Sequence, residues 1–252
     1  MGAVISFANQ KGGVAKTTST YNVGVSLARK KQKTLIIDLD SQASLTISAG
    51  LEPFEIDKSI VNVLSKDSVP IKDCLIVLQE NLHIVTSRLE LAQLEIEMIG
   101  RSMREKILHR AIGSLWKEYD YILIDCPPQL SILTINALAA SNLVIIPVKT
   151  DYLAYRGVEL LQDTIQEIQS IMNPSLEVLG VVATLYEKRV KDDNDILKAL
   201  QEKYNVIGVV KKSVIVKKGV YEGRSVSEQK PDNDIAIEYD KISDYIIEKG
   251  GW

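Results

Sequence analysis

A glycine pair between two lysines lies near the start of the chain, where residues 11–18 read KGGVAKTT. Gly12 and Gly13 allow the backbone to approach an anion closely, because neither residue carries a Cβ. A helix that begins near Lys16 would direct its free N–H groups and the positive end of its dipole at the same anion. Lys16 can then reach the terminal phosphates of a nucleotide, and the Thr17 hydroxyl can bind Mg²⁺. The spacing therefore predicts a phosphate-binding loop.

Three aspartates follow apolar segments that are typical of buried strands. Asp38 and Asp40 are separated by one residue, so their side chains share one face of an extended strand. Asp125 ends the apolar run 121–124. Ligands of open α/β sheets bind at the carboxyl ends of the strands, and neighbouring carboxylates repel each other unless a cation or a difference in role separates them. This edge of the sheet is therefore predicted to bind a magnesium–nucleotide complex.

The elements that must position these residues are predicted from short apolar runs that alternate with longer amphipathic ones. That order is typical of βαβ units around a mainly parallel sheet with helices on both faces, and it predicts one α/β domain over residues 1–252. The predicted strands are residues 3–8, 34–38, 82–86, 121–125, 143–148, 178–184 and 206–210. The predicted helices are residues 17–30, 89–117, 132–140, 157–171, 194–203 and 235–248. Residues 51–81 show no clear pattern.

The composition excludes several classes of protein. Of the 252 residues 46% are hydrophobic and 25% are charged, which is ordinary for a globular chain and unlike a disordered one. No apolar run approaches the roughly 18 residues of a membrane-spanning helix. Two cysteines, Cys74 and Cys126, are too few for a disulfide framework, so we expect a cytoplasmic protein. The net charge of −3 does not by itself indicate nucleic-acid binding.

The phosphate loop departs from the ordinary P-loop pattern, because Gln10 and Ala15 occupy the two glycine positions. With Lys11 directly before the glycine pair, the loop resembles the deviant Walker A motif, K-G-G-x-x-K-[ST], of the ParA/MinD family of P-loop ATPases. The resemblance implies a P-loop NTPase fold, ATP and Mg²⁺ as cofactors, and an ATP-sandwich dimer in which Lys11 reaches the nucleotide of the partner subunit. The nucleotide-binding residues that it implies are Lys11, Gly12, Gly13, Val14, Ala15, Lys16, Thr17 and Thr18 and, near the adenine, Lys211.

Ala15 stands where the family commonly has glycine. We expect Ala15 to be helical, because alanine is then preferred to glycine by about 1 kcal/mol and nucleotide binding is retained. A left-handed conformation would instead cost the alanine roughly 1 kcal/mol or more.

The carboxylates also resemble family motifs. Asp38 and Asp40 are similar to the Walker A′ motif, in which the second aspartate positions the attacking water and the first lies in the Mg²⁺ shell. Asp125 is similar to the Walker B aspartate, and the prolines after Cys126 fit the family pattern D-x-P-P. Residues 41–44 depart from the usual P-Q-G-N run. The catalytic residues so assigned are Lys11, Lys16 and Asp40, and the metal ligands are Thr17, Asp38 and Asp125.

Two basic segments are candidates for a surface through which the ATPase would bind another molecule. Four lysines occur in residues 211–218 without an acid, and a second basic cluster lies near residue 188. The predicted DNA-binding residues are Lys188, Arg189, Lys211, Lys212, Lys217, Lys218 and Arg224. MinD-type relatives instead bind membranes through a basic C-terminal helix, whereas residues 238–248 of this chain are acidic. We therefore expect no membrane binding.

Resemblance along most of the chain favours the ParA side of the family. It implies an ATPase that is weak alone, dimerises with ATP, binds double-stranded DNA without sequence preference, and is stimulated by a ParB-like centromere-binding partner to segregate a plasmid or chromosome. We expect a nucleoid-associated protein in the cytoplasm, without the N-terminal helix-turn-helix of larger plasmid relatives. The alternatives are a MinD-like or other cargo-positioning ATPase, a metabolic P-loop enzyme, and a nucleotide-binding scaffold that does not hydrolyse ATP.

Overall fold

The computed structural model describes residues 2–249, whose eight strands form one sheet in the order β3-β4-β2-β5-β1-β6-β7-β8. The strands are β1 (Ala3–Phe7), β2 (Thr34–Asp38), β3 (Leu75–Gln79), β4 (Leu82–Val85), β5 (Tyr121–Asp125), β6 (Leu143–Lys149), β7 (Glu177–Tyr186) and β8 (Val206–Lys211). Neighbouring strands are parallel except β3, which runs antiparallel to β4 at one edge. The predicted mainly parallel α/β architecture is confirmed.

Helices cover both faces of this sheet. They are α1 (Lys16–Arg29), α2 (Ser44–Ser48), α3 (Ile60–Leu64), α4 (Leu91–Ile99), α5 (Ile107–Ile112), α6 (Ile132–Ala140), α7 (Tyr152–Ile171), α8 (Lys191–Lys203), α9 (Val214–Glu222), α10 (Val226–Gln229) and α11 (Asp234–Lys249). Successive side chains of a strand point to opposite faces, so each strand serves two cores. Ile5 and Phe7 contact the core that includes α1 and α11, whereas Val4 and Ala8 contact the core that includes α3 to α8.

The apolar face of α11 is part of the core. Tyr239, Ile242 and Ile246 are buried, and the Tyr239 hydroxyl lies 3.4 Å from Ser19 Oγ of α1. The apolar residues of the last helix therefore contact the core. Across residues 2–249, no helix combines the length and hydrophobicity needed to cross a membrane.

Residues 89–117 do not form the single helix that the sequence predicted. The structure has α4 and α5 there, with 3₁₀ turns at Arg104–Lys106 and Gly113–Leu115. Gly100 ends α4, and Met103 has a φ of 55°, which a continuing right-handed helix cannot contain. Both helices bury apolar residues in the same core, so the apolar periodicity continues through the break and hides it.

Other differences are local. Residues 51–81, which showed no pattern, contain α3 and the half-buried edge strand β3. Helix α7 begins earlier than predicted, because Asp151 caps it by accepting a 2.8 Å hydrogen bond from the Ala154 N–H. The short helices α2, α9 and α10 were not predicted, since each has little room for an amphipathic repeat.

Candidate nucleotide-binding site

The predicted phosphate loop connects β1 to α1 and is held in place by side-chain hydrogen bonds. Asn9 Oδ1 accepts from the Lys11 N–H at 2.9 Å, and Asn9 Nδ2 donates to the Pro147 carbonyl at 2.7 Å. Thr184 Oγ1 donates to the Val14 carbonyl at 2.9 Å. Sequence reasoning missed both anchors. Asn9 could have been found from the local turns that asparagine makes with the backbone two residues on, whereas no sequence signal pointed to Thr184.

The backbone at Ala15 contradicts the sequence expectation. Ala15 has φ 63° and ψ 34° and directly precedes α1, so the prediction that it is helical is wrong. The left-handed turn aims the first N–H groups of α1 into the loop, and this requires a conformation that glycine adopts without strain. Alanine pays roughly 1–2 kcal/mol for it, because its Cβ approaches the following carbonyl oxygen.

We expect Ala15→Gly to stabilise the nucleotide-free protein by about 1 kcal/mol, because the relief of strain exceeds the added freedom of the unfolded chain. In a chain of this size that corresponds to a rise in melting temperature of roughly 2–4 °C. Ala92→Gly, at an exposed position in the first turn of the right-handed helix α4, is the matched control and should lower stability by up to about 1 kcal/mol. An unchanged or lower melting temperature for Ala15→Gly would contradict the strained turn.

Lys16 lies at the base of a cleft of about 440 Å³. Its side chain is buried, and Nζ donates a 3.1 Å hydrogen bond to the Lys11 carbonyl. Burial lowers the pKa of Lys16, while the charges of Asp125, Cys126 and Asp40 oppose that shift. The cleft is lined by Gly12, Gly13, Ala15, Lys16, Thr17, Thr18, Asp40, Ser44, Ile47, Ser48, Pro128 and Val220. A cation and helical N–H groups thus converge on one cleft, where they can bind an anion.

Asp38 and Asp125 are brought together by the pairing of β2 with β5, where they occupy the same register position. Both are fully buried. Asp38 Oδ1 accepts from the Asp40 N–H at 3.2 Å, and Oδ2 accepts from the N–H and the hydroxyl of Thr46, each at 2.8 Å. Burial raises the pKa of Asp38 to about 6 in spite of these bonds. Asp38 therefore tethers the segment that carries Asp40, and Thr46 is a partner that the sequence did not indicate.

Asp125 has the environment of a carboxylate that needs a cation. Its Oδ2 is buried without a hydrogen-bond partner in the part of the chain that the structure describes, and Oδ1 accepts a long bond of 3.5 Å from Thr20. Burial and then the charge of Asp38 raise the pKa of Asp125 well above its ordinary range. A magnesium ion fits this orphaned oxygen together with the Thr17 hydroxyl, since Mg²⁺ prefers oxygen ligands.

The donor set also limits how a metal would bind. No three His, Cys, Asp or Glu side chains among residues 2–249 form a metal cluster. Magnesium would therefore take further ligands from nucleotide phosphates and water, as it commonly does. Both oxygens of Asp38 already accept hydrogen bonds, so the geometry favours Thr17 and Asp125 as direct ligands.

We expect Asp125→Asn to raise the melting temperature of the nucleotide-free protein, because the change removes a carboxyl group whose ionisation is disfavoured by burial and by Asp38 and whose Oδ2 has no partner. The same change should reduce the extra stabilisation that Mg²⁺ adds to ATP. Thermal unfolding without ligand, with ATP and EDTA, and with ATP and Mg²⁺ separates the two effects. Asp163→Asn, at an exposed position of α7, is the control and should change neither. A lower melting temperature of the Asp125→Asn protein without nucleotide would contradict this description of the site.

Asp40 projects from the end of β2 into the cleft and remains partly exposed. Its Oδ1 accepts a 3.0 Å hydrogen bond from the Gln42 N–H, which shapes the turn into α2. A carboxylate in this position, close to Lys16 and open to solvent, can orient a water molecule against a bound phosphate.

Lys11 does not line the cleft of its own subunit. Its side chain is exposed and runs along the start of α7, where Lys11 Cγ lies 3.6 Å from the position of a Cβ added to Gly157. The Lys11 charge also contributes to the lowered pKa of Asp151, after larger effects that include the hydrogen bond from Ala154 and the ion pair with Lys149. The two lysines of the loop therefore have different surroundings, since Lys16 is buried in the cleft and Lys11 is exposed outside it.

A second cavity of about 450 Å³ adjoins the phosphate loop and shares Ala15 and Thr18 with the cleft. It is lined by Ala15, Thr18, Lys149, Thr150, Asp151, Thr184, Leu185, Glu187, Val190, Asp193, Val210, Lys211, Lys212, Ser213, Val216, Lys217 and Tyr239. This mixture of aliphatic and polar side chains suits a nucleoside, and Lys211, which the resemblance assigned to the surroundings of the adenine, lines this cavity.

Comparisons with known proteins identify the family. The AAA domain family matches residues 2–178. The chain is 39% identical to the sporulation initiation inhibitor protein Soj of Bacillus subtilis, with 75% of each chain covered. It is 31% identical to the chromosome-partitioning ATPase Soj of Treponema pallidum, with 100% of this chain and 99% of that protein covered. The chain belongs to the ParA/Soj family of P-loop ATPases. The resemblance predicted from the phosphate loop is confirmed.

A solved structure agrees on the fold. Cobyrinic acid a,c-diamide synthase from Mycobacterium smegmatis, determined with an ATP analogue and magnesium, superimposes with a TM-score of 0.86 at 32% identity. The match covers 99% of this chain and 97% of that one. The fold of this chain is therefore shared with a protein that is named for a metabolic reaction.

The fold pairs several basic residues that the sequence had grouped as one positive surface. Lys211 lies 2.8 Å from Asp234, Lys212 lies 2.7 Å from Glu187, and Lys218 lies 3.4 Å from Glu222. Arg224 donates to the carbonyl of residue 228 at 2.6 Å. In the described chain, the DNA-binding candidates without an ion pair are Lys188, Arg189, Lys217 and Arg224. The positive surface is therefore smaller than the acid-free stretch 211–218 predicted.

Proposed function

We propose that this protein is a ParA-type partition ATPase that binds Mg–ATP in the cleft and the adjoining cavity. The observation that carries the proposal is the convergence of Lys16, Thr17 and Asp40 on one cleft beside the orphaned carboxylate of Asp125. The N–H groups at the start of α1 and Lys16 would hold the phosphates, and the second cavity would hold the nucleoside. A bound Mg²⁺, held by Thr17 and Asp125, would neutralise the charge that develops on the transferred phosphoryl group.

Hydrolysis on this site needs little beyond positioning and charge stabilisation. Asp40 orients the attacking water, and its place is fixed through the bonds of Asp38 to the Asp40 N–H and to Thr46. The buried Lys16 stabilises the negative charge that develops on the phosphate of the leaving ADP. Because Lys16 is the one cationic side chain among the described residues that line the cleft, turnover without further help is slow, and a ParB-like centromere-binding partner accelerates it.

We propose that ATP orders a homodimer through the surface around Lys11. Lys11 lies outside its own cleft against α7, which leaves it free to reach the nucleotide of a partner subunit. Tyr152 and Leu153, at the start of α7, are exposed apolar residues. Leu130 is also exposed and lies two residues after Pro128, whose Cβ is 3.9 Å from a Cβ added to Gly12. Apolar side chains around a functional cleft are typical of an interface.

We propose that the ATP dimer binds double-stranded DNA without sequence preference through its basic residues and that the protein is nucleoid-associated in the cytoplasm. Lys188 and Arg189 lie in the loop after β7, and Lys217 lies on α9 beside the second cavity. The ion pair of Lys212 with Glu187 joins these two segments. A nucleotide bound in the second cavity would thus lie next to the residues that would contact the phosphates of DNA.

Charge reversal tests this surface. Arg189→Glu with Lys217→Glu should weaken ATP-dependent binding to a random duplex by at least about tenfold, because both cations are free to contact phosphates, and should reduce the salt slope by about one for each lost contact. Lys66→Glu with Arg110→Glu, two exposed positions elsewhere, matches the change in net charge. Equal losses in both pairs would show a general charge effect and contradict the assigned surface.

The similarity to the Mycobacterium smegmatis synthase supports a second candidate function. In it, this chain would be a metabolic P-loop enzyme that uses ATP to activate a small molecule. That function requires ATP turnover that a metabolite stimulates. The partition function requires turnover that DNA and a partner protein stimulate together. Steady-state ATPase assays with each addition distinguish the two.

A further inference from the structure

The segment from Asp40 to Thr46 forms a loop whose two ends are held by one carboxylate. Asp38 Oδ1 accepts a 3.2 Å hydrogen bond from the Asp40 N–H, and Asp38 Oδ2 accepts two bonds of 2.8 Å from the N–H and the hydroxyl of Thr46. Inside the loop, the Ala43 N–H donates to the Asp40 carbonyl at 2.9 Å, and Ala43 has a left-handed φ of 51°. The place of Asp40 therefore depends on the orientation of the Asp38 carboxylate.

The Thr46 hydroxyl fixes that orientation, because it has a hydrogen bond on each side. It donates to Asp38 Oδ2 and accepts a 3.0 Å bond from the N–H of Ser87, which follows β4. A hydroxyl group has one proton, so the bond from the Ser87 N–H leaves that proton for Asp38. Thr46 is fully buried, and solvent does not compete for either bond. The hydroxyl thus ties the carboxylate at the end of β2 to the neighbouring strand.

Helix α2, which contains Thr46, has little stability of its own. It consists of only the five residues Ser44–Ser48, and a helix this short is unstable without contacts to the rest of the fold. Leu45 and Thr46 are buried, whereas Ser44 and Ile47 line the nucleotide cleft. The bonds of Thr46 therefore hold α2 from its buried side, while its other side faces the nucleotide.

We infer that Thr46 is a positioning residue for ATP hydrolysis, and that its hydroxyl acts through Asp38 to hold Asp40 against the attacking water. This role rests on the proposed ATPase function, because Asp40 is the group that it positions. Thr46 is not among the residues that line the cleft, so it does not bind the nucleotide itself. A displacement of a reacting group by about 1 Å can lower a rate roughly 100-fold. Loss of the hydroxyl should therefore lower turnover and leave ATP affinity unchanged.

Thr46→Val tests this role, and Thr86→Val is its matched control. Both threonines are fully buried, and both substitutions replace a hydroxyl group by a methyl group. Thr86 directly follows β4, and its Oγ1 has no hydrogen-bond partner within residues 2–249. Single-turnover hydrolysis should fall at least about tenfold in Thr46→Val and stay within about twofold of wild type in Thr86→Val. Isothermal titration should give both variants a dissociation constant for Mg–ATP within about threefold of wild type.

Thr46→Ser separates the hydroxyl group from the packing of the side chain. Serine keeps the hydroxyl that lies between Asp38 and the Ser87 N–H and loses only a methyl group. The variant should hydrolyse ATP within about threefold of the wild-type rate, although the lost methyl group lowers its melting temperature. A folded Thr46→Ser protein that binds ATP but hydrolyses it as slowly as Asp40→Ala would overturn the inference. That comparison holds even where Thr46→Val does not fold.

A double-mutant cycle shows whether Thr46 acts through Asp40. In the Asp40→Ala background, Thr46→Val should lower the remaining rate by less than about twofold, because the group that Thr46 positions is gone. The full loss of about tenfold in that background, or wild-type turnover in a folded Thr46→Val protein, would overturn the inference while the ATPase function stands. No hydrolysis of ATP by the wild-type protein would instead remove the proposed function, and the inference with it.

Discussion

Lys16→Ala is expected to abolish ATP binding, with the dissociation constant rising at least about 100-fold. Lys16 is the buried cation of the cleft, and its Nζ bonds the Lys11 carbonyl rather than a carboxylate. Its charge is therefore available to an incoming phosphate, and the loss of a desolvated charge-assisted contact costs about 2–5 kcal/mol. Isothermal titration with Mg–ATP measures the change directly.

Lys30→Ala is the control for Lys16→Ala. Lys30 lies at the other end of α1, where it is paired with Asp244 at 2.7 Å. The control should bind ATP as the wild type does. Thermal unfolding establishes that the Lys16 variant is folded. ATP affinity within a few-fold of wild type in a folded Lys16→Ala protein would remove the phosphate-loop assignment.

Asp40→Ala should leave ATP binding and the ATP dimer intact and lower the hydrolysis rate by at least about 100-fold, the ordinary contribution of a group that positions or deprotonates water. Asp40 lines the cleft without being buried in it, so its removal takes little from the binding of phosphates. Single-turnover hydrolysis and sedimentation with ATP measure the two properties separately.

Asp40→Asn separates the chemistry of Asp40 from the turn that it forms. The asparagine oxygen can still accept the hydrogen bond from the Gln42 N–H, which Asp40 Oδ1 accepts at 3.0 Å. The turn is then kept, and the negative charge is lost. Hydrolysis should fall about as far in Asp40→Asn as in Asp40→Ala. Wild-type turnover in the Asp40→Asn protein would assign the catalytic role to another group.

The residues of the cleft could be predicted because their signals are local. A glycine pair and lysines after one strand, and carboxylates after two others, meet at one edge once the strands are parallel. The apolar run before each aspartate indicated that both lie at strand ends, and the register of β2 with β5 then brings Asp38 beside Asp125. The chemistry of the site thus followed from residue types and strand order.

Other features of the site could not be predicted from the sequence. They depend on contacts between residues far apart in the chain or, at Ala15, on a backbone conformation that the residue type does not determine. Ala15 is compatible with both helical and left-handed turns, and only the packed loop selects the second. The pairing of Lys211 with Asp234 and of Lys212 with Glu187 joins residues far apart in sequence, so a charge count along the chain could not reveal it. The bond of Thr46 to Asp38 arises from the path of the loop after β2.

Binding to a random-sequence duplex tests the central claim most directly. Fluorescence anisotropy is measured with ATP, with ADP and without nucleotide, each across a salt series. The account predicts tight binding with ATP alone and a steep fall in affinity with salt, because the contacts are to phosphates. Equal DNA affinity in all three nucleotide states, or no DNA binding while ATP is bound, would contradict it.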